Sequence, residues 1–295
     1  MMFYRRKLML GLLELFGGKL SKMELQKLLF LVARYQHVPS FDFLPYHYGC
    51  YSYQATWDAN SLVKYGYVKE DEHYYELVKA TDCLTQLKPD DKSALNHIAR
   101  TYQNYDADAL VKETYLKYPY YAIKSRIAER VLTSAELQQV RKQVPTNATS
   151  TLFTLGYEGL SIEKYFNKLI INNVKVLCDV RRNPLSQKVG FSKGTLQKVC
   201  DALGIAYVHI PELGIESSKR QALHTQRDYD ELFADYEQNY LVHQGAGLAK
   251  IVQLLAEYKR VALTCFEATQ CQCHRGRVAQ ALVARPNFDI PLKHL

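Results

Sequence analysis

Between Phe3 and Phe16 the apolar residues Leu8, Leu10, Leu12, Leu13, Leu15 and Phe16 recur at helical spacing, and Gly17-Gly18 stops the run where a left-handed backbone is easily adopted. Ser21-Lys22-Met23-Glu24 has the Ser-x-x-Glu spacing of a capping box, which predicts a second helix from there to about Gln36. A third helix is predicted over 52–65, beyond the loop containing Pro39 and Pro45, and Gly66 ends it. The stretch 67–77, a strand pattern broken by a charged turn, suits a hairpin. Three helices followed by a hairpin predict a mainly α, winged-helix-like N-terminal domain over 1–80, in which a helix would enter a major groove and the wing would touch phosphate. Lys19, Lys22, Lys27 and Arg34 are the candidate nucleic-acid-binding residues, and docking of a protein in place of DNA is the alternative.

Residues 81–145 continue as a helical extension or connector, with Tyr102, Tyr105, Tyr115, Tyr118, Tyr120 and Tyr121 interleaved among basic residues. Such tyrosines either stack nucleobases or cement a helical interface, and the second reading is the better one for so many. The polar, aperiodic run Val144 to Ser150 marks the boundary to a second domain over 151–295.

In that second domain the pattern changes to alternating short apolar runs and amphipathic stretches. Strands are predicted at Leu152 to Leu155, Val174 to Val180, Ile205 to Ile210 and Val261 to Phe266. Helices are predicted at Ser161 to Ile171, Lys193 to Leu203 and about Cys273 to Ala284. This alternation predicts an α/β C-terminal domain with a mostly parallel sheet flanked by helices, its crossovers right-handed. The polar residues fall just after the strands: Tyr157 and Glu158 after the first, Asp179, Arg181 and Arg182 after the second, His209 at the end of the third, and Glu267 with Cys273, His274 and Arg275 after the fourth. In an open parallel sheet the strand C-termini border the ligand crevice, so four loops nominate one anion-binding site.

Cys273, at the start of a helix beside His274 and Arg275, is a candidate thiolate nucleophile, with Asp179 or Glu267 as acid or base. Tyr157, Glu158, Arg181, Arg182, His209, His274 and Arg275 are the candidate ligand-binding residues, the arginines because their planar forks hold phosphate. The competing reading is a structural network in which Cys273 caps the helix and Arg275 pairs with Asp179 or Glu267. A metal at Cys265, Cys271, Cys273 and His274 is set aside because a strand end and a helix start are expected to aim these ligands apart. Phosphate-loop and dinucleotide-binding glycine motifs are absent, and no cofactor is named by the sequence.

Two resemblances bear on these readings. Leu25-Gln26-Lys27-Leu28-Leu29-Phe30 with Pro45-Tyr46-His47-Tyr48-Gly49-Cys50-Tyr51-Ser52 resembles the Panacea-type domain of SocA-like antitoxins, which implies toxin neutralisation or regulation in a bacterial defence setting. From about Thr151 to Ala284 the chain resembles the domain-of-unknown-function family numbered 488. The residues that carry this second resemblance are Thr154-Leu155-Gly156-Tyr157-Glu158-Gly159, Cys178-Asp179-Val180-Arg181-Arg182-Asn183-Pro184-Leu185-Ser186, Gly190-Phe191-Ser192-Lys193, Tyr207-Val208-His209-Ile210-Pro211-Glu212-Leu213-Gly214-Ile215, Cys265-Phe266-Glu267 and Cys273-His274-Arg275. Gln270-Cys271-Gln272 departs from the charged residues expected there, so Cys271 is not carried into the site. That resemblance implies a shared fold and site but no reaction.

Composition narrows the setting. With 295 residues and 47% hydrophobic content the chain can bury two cores. No run suits a membrane helix, and the start Met1 to Lys7 leads into a periodic helix without a cleavage site, so a cytoplasmic protein without membrane association is expected. A net charge of +8 favours a polyanionic partner, and it divides evenly between the two halves. The function this predicts is a nucleic-acid-associated protein whose α/β domain binds or processes a phosphate-bearing ligand, a nucleotide or a nucleic acid. The alternative is a non-catalytic DNA-binding regulator or antitoxin-like protein with a ligand-sensing α/β domain. A toxin or a second copy of the chain is the candidate protein partner.

Overall fold

The computed structural model describes residues 2–79, 81–216 and 225–295, which divide into two compact units, Met1–Val144 and Pro145–Leu295. In the first, helix α1 (Tyr4–Leu15) leads through strand β1 (Lys19–Ser21) into α2 (Lys22–Tyr35). The capping box forms as the spacing predicts: Glu24 N–H donates to Ser21 Oγ at 3.1 Å and Ser21 N–H to Glu24 Oε2 at 2.7 Å. A short hairpin, β2 (Leu44–Tyr46) and β3 (Gly49–Tyr51), precedes α3 (Tyr53–Lys64). Strands β4 (Val68–Glu70) and β5 (Tyr74–Leu77) then pair with β1 in an antiparallel sheet of order β1-β5-β4. The β2-β3 hairpin was not predicted.

Helices α4 (Pro89–Tyr102), α5 (Ala107–Lys117), α6 (Ala128–Val131) and α7 (Ser134–Lys142) complete this unit. Leu95, Ile98 and Tyr102 of α4 join Leu8, Leu12, Leu28 and Phe30 in one core, so α4 packs onto α1 and α2. Tyr102 sits in that core with its hydroxyl accepting from Lys117 at 3.1 Å, and Tyr115, in a second core with Val111 and Ala122, is bonded through its hydroxyl to Ser125 at 2.7 Å. Buried Asp58 on α3 is bonded by both Arg5 and Arg6 of α1, which locks those two helices together.

The second unit is a five-stranded parallel sheet flanked by helices, the architecture predicted. Its elements run β6 (Thr151–Gly156), α8 (Ile162–Ile171), β7 (Val176–Asp179), α9 (Lys193–Leu203), β8 (Ala206–His209), α10 (Gln226–Asp235), α11 (Gly245–Tyr258), β9 (Arg260–Cys265), α12 (His274–Val283) and β10 (Leu292–His294). Strands β6, β7 and β9 are buried along their whole length, the continuous apolar pattern of a sheet covered on both faces. Helix α8 buries Ile162, Tyr165, Phe166, Leu169 and Ile170, a stripe at three- and four-residue spacing. Gly204 ends α9 in the left-handed conformation, φ 68°.

Strand order is β10-β6-β9-β7-β8, all neighbours parallel. After β7 the chain moves to β8 at one edge; after β9 it moves to β10 at the other. The neighbours β9 and β7 therefore form a topological switch point, where the loops that follow them part and leave a crevice. Helices α10 and α11 and strand β10 were not predicted.

Two glycines show how tightly the loops at this edge close. A Cβ on Gly156 would overlap the carbonyl of Glu267, and one on Gly214 would overlap the backbone of Arg182. Gly156→Ala and Gly214→Ala are each expected to cost about 1–3 kcal/mol in chemical denaturation, the range for overpacking a closed site. Gly194→Ala, at an exposed position of α9 with open space beside it, is expected to be neutral or mildly stabilising.

Candidate functional site

The sheet's C-terminal edge is organised around Asp179, the last residue of β7, which is fully buried. Arg181 turns back onto it: Nε donates to Oδ1 at 2.8 Å and Nη2 to Oδ2 at 2.6 Å, a bidentate pair. Arg181 Nη1 donates to the Tyr157 hydroxyl at 2.8 Å and the Phe191 carbonyl at 2.9 Å, which brings in the loop after β6 and the residues before α9. Tyr207 Oη donates to Asp179 Oδ2 at 2.7 Å. Burial opposes the charge on Arg181, but the bonds and charge of Asp179 outweigh it and hold the guanidinium above its ordinary pKa. Burial, reinforced by the Asp179 charge, pushes the Tyr207 hydroxyl up.

Further bonds gather the remaining loops. His209 Nε2 lies 2.9 Å from the Arg181 carbonyl, and His274 Nε2 lies 2.9 Å from the Val180 carbonyl. Ala268 N–H donates to Glu158 Oε2 at 2.8 Å, joining the loops after β6 and β9. Arg275, 2% exposed, donates from Nη1 to the Glu267 carbonyl at 2.5 Å and from Nη2 to the Ala268 carbonyl at 2.9 Å.

Above this network a cleft of about 620 Å³ is lined by Tyr157, Glu158, Gly159, Arg181, Arg182, Asn183, Leu185, Ser186, Gln187, Lys188, Ile215, Cys265 and Phe266. The Tyr157 ring stacks on Phe191 with centroids 4.4 Å apart and meets Phe266 edge-on at 5.4 Å. Arg182 is largely free of the frame, its nearest carboxylate Glu216 at 3.9 Å. Lys188 Nζ donates to the Tyr157 carbonyl at 2.8 Å, and burial lowers its pKa.

Of the residues singled out in the sequence, Tyr157, Glu158, Arg181 and Arg182 line the cleft; Asp179 and His209 brace it from below. His274 and Arg275, expected to bind ligand, are 1% and 2% exposed and do not line it; His274 Nε2 and both Arg275 Nη atoms are engaged by backbone carbonyls. Arg275 therefore pairs with neither Asp179 nor Glu267 through its side chain, contrary to the competing structural reading; it holds the loop by two carbonyls.

Cys273 occupies the N-cap position of α12 without a side-chain capping bond, and the expected activation is reversed. The residue is 1% exposed, and burial pushes its thiol pKa well up, helped by Cys265 and by the charge of Glu267, with the nearby Arg275 opposing too weakly to offset them. Asp179, locked to Arg181, is likewise no free acid or base. The metal reading was set aside on a premise that also fails: ligand atoms of Cys265, Cys273 and His274 lie within 4.8 Å of one another.

In the first unit, Lys27 is 2% exposed and donates to the Cys50 carbonyl at 3.0 Å, so it cannot serve as a phosphate contact on a surface helix. Burial lowers its pKa. Lys19 and Lys22 pair with Glu76 and Glu70 of the adjacent sheet, and Arg34 bonds the Tyr121 hydroxyl while lying over Phe30.

Sequence reasoning missed Lys188, Asn183, Phe266, Tyr207 and Cys265 as site residues. Tyr207 was within reach: it shares a strand face with His209 at period two, so whatever turns His209 to the site turns Tyr207 there too. Lys188 carries no comparable signal, since it comes from an irregular loop whose path depends on Gly190 and Phe191.

Fold and site together define the second unit as a parallel α/β domain with a charged cleft at its switch point. Residues 161–282 match the protein family described as Domain of unknown function DUF488, which bears out the resemblance read from the motifs. No curated protein and no solved structure matches the chain.

Two outcomes are expected. Asp179→Asn leaves the buried Arg181 charge uncompensated and should cost about 3–5 kcal/mol in urea unfolding, whereas the joint change Asp179→Leu with Arg181→Met should recover only part of that loss, because Tyr157, Tyr207 and the Phe191 carbonyl lose these bonds. Iodoacetamide at neutral pH should modify Cys271, the exposed cysteine, and leave the six buried ones untouched until the protein unfolds, as read by intact mass.

Proposed function

We propose that the second unit binds a phosphate-bearing ligand, a nucleotide or a nucleic-acid end, in the strand-end cleft. One observation carries the reading: among the described residues three cations, Arg181, Arg182 and Lys188, line the cleft against one carboxylate, Glu158, which is already engaged by the Ala268 N–H. Arg181 is fixed and sets the local field, while Arg182 and Lys188 are the groups able to reach a phosphate directly. Phe266, 40% exposed at the cleft wall, offers a face on which a base stacks.

The proposal is a binding role and not thiolate chemistry, because Cys273 and Asp179 lack the exposure that a nucleophile or a proton shuttle needs. Glu267, partly exposed on the loop after β9, is the carboxylate left for acid or base work if the bound ligand is also processed.

We assign the first unit a docking role. Its element order, three helices with β1 between the first two and the β4-β5 hairpin after the third, supports a winged-helix module. Because Lys19, Lys22, Lys27 and Arg34 are occupied within the unit, the side chains favour a protein partner over DNA; the toxin-neutralising or regulatory role implied by the antitoxin resemblance of 1–80 accords with that.

Calorimetric titration tests the cleft. A nucleoside monophosphate or a 5′-phosphorylated oligonucleotide should bind saturably, and Arg182→Ala or Lys188→Ala should each weaken it about tenfold, the loss of one charge-assisted hydrogen bond. No saturable binding of either ligand, or binding indifferent to both substitutions, removes the reading. For the first unit, any salt-dependent duplex binding should be unchanged by alanine at Lys19, Lys22, Lys27 and Arg34; a reduced salt slope would restore DNA docking through that helix.

A further inference from the structure

Cys265 closes β9, and Cys273 and His274 begin α12, so a short loop returns the chain to the point where the strand ended. The arginine beneath that loop explains the return. Arg275 binds the Glu267 and Ala268 carbonyls, and Gly276, where a Cβ would overlap the Gln270 carbonyl, lets the helix start press against the loop. All three ligand-type residues are consequently buried together, with their Sγ atoms and a ring nitrogen within 4.8 Å of one another.

The spacing, here that of a thiol–imidazole hydrogen bond, is also one at which the ligands can share an ion. Cys265 Sγ is 3.5 Å from His274 Nδ1. A tetrahedral zinc with Zn–S of about 2.3 Å and Zn–N of about 2.0 Å places sulfur and nitrogen about 3.5 Å apart.

The far side of the ring gives independent support. His274 Nε2 donates to the Val180 carbonyl at 2.9 Å, which fixes the ring with its Nδ1 toward Cys265 Sγ. A backbone carbonyl on the remote ring nitrogen is the usual device that orients a metal-bound histidine.

We propose that Cys265, Cys273 and His274 hold a zinc-class divalent ion. Two sulfurs and an imidazole suit zinc and not the hard, oxygen-seeking magnesium or calcium. Three ligands among the described residues leave a fourth position, and Glu267 Oε2, which accepts from Cys265 Sγ at 3.4 Å, is the carboxylate beside it. Cys265 also lines the cleft, so the ion would stand at the cleft wall and pin the loop that carries Phe266 and Glu267. The proposal is independent of phosphate binding: metal occupancy and ligand affinity are separate readouts.

The test uses the full-length protein, purified with reductant and without chelator. Elemental analysis should find one zinc per chain, and exchange for cobalt should give the visible bands of a tetrahedral ion with a near-ultraviolet band from thiolate ligation. Cys265→Ser, Cys273→Ser and His274→Ala should each become substoichiometric, while Cys271→Ser, the exposed neighbour, should keep the full complement. Should the site variants fail to fold, the cobalt spectrum of the unaltered chain decides alone. Absence of both stoichiometric metal and the thiolate band in the unaltered protein overturns the proposal, as does a Cys265–Cys273 disulfide found by mass in the reduced preparation, or metal retained by the double serine variant.

Discussion

The buried pair between Asp179 and Arg181 is the constraint on which the rest of the site depends. Asp179 ends a strand in the middle of the sheet, where an isolated carboxylate would be costly, and Arg181 satisfies both its oxygens with two parallel bonds. Because the guanidinium also bonds Tyr157 and the Phe191 carbonyl, and the carboxylate also accepts from Tyr207, one ion pair fixes four chain segments that are remote in sequence. Arg182, next in the chain, is thereby placed at the cleft while its neighbour faces inward. A charged lining becomes possible only because the charges beneath it are already matched.

Topology explains why the cleft lies where it does. The loops after β7 and β9 depart toward opposite edges of the sheet, and the space between them is bridged by the His274 bond to Val180 and roofed by the residues around Phe266. Gly156 and Gly214 sit where neighbouring backbone leaves no room for a Cβ, which is the physical reason for glycine in both motifs. Helix α12 starts at this crossing, and its first residues serve the loop more than the solvent. The family match over residues 161–282 takes in most of this construction, from α8 to α12.

Much of this was legible in the sequence. Strands β6, β7, β8 and β9 and helices α8, α9 and α12 follow from alternating apolar runs, and the gathering of Tyr157, Asp179, Arg181, His209 and His274 at one edge follows from parallel topology alone. What the sequence could not supply was the direction of each side chain. Arg181 and Arg182 are adjacent, yet one is buried in an ion pair and the other faces the cleft. Cys273 stands at a helix start as expected, but burial, with Cys265 and the Glu267 charge, outweighs the nearby Arg275 and pushes the thiol up. Lys27 illustrates the same limit in the first unit, where a base on an amphipathic helix proved to belong to the inward face.

The central claim is that a fixed ion pair underlies a cleft whose free cations receive phosphate. A crystal structure of the full-length chain grown with a nucleoside monophosphate examines it most directly. The account predicts density in the cleft with phosphate oxygens at hydrogen-bond distance from Arg182 and Lys188 and with Arg181 still paired to Asp179. Ligand bound elsewhere on the molecule, or Arg181 swung out of its pair to meet the phosphate, would contradict it.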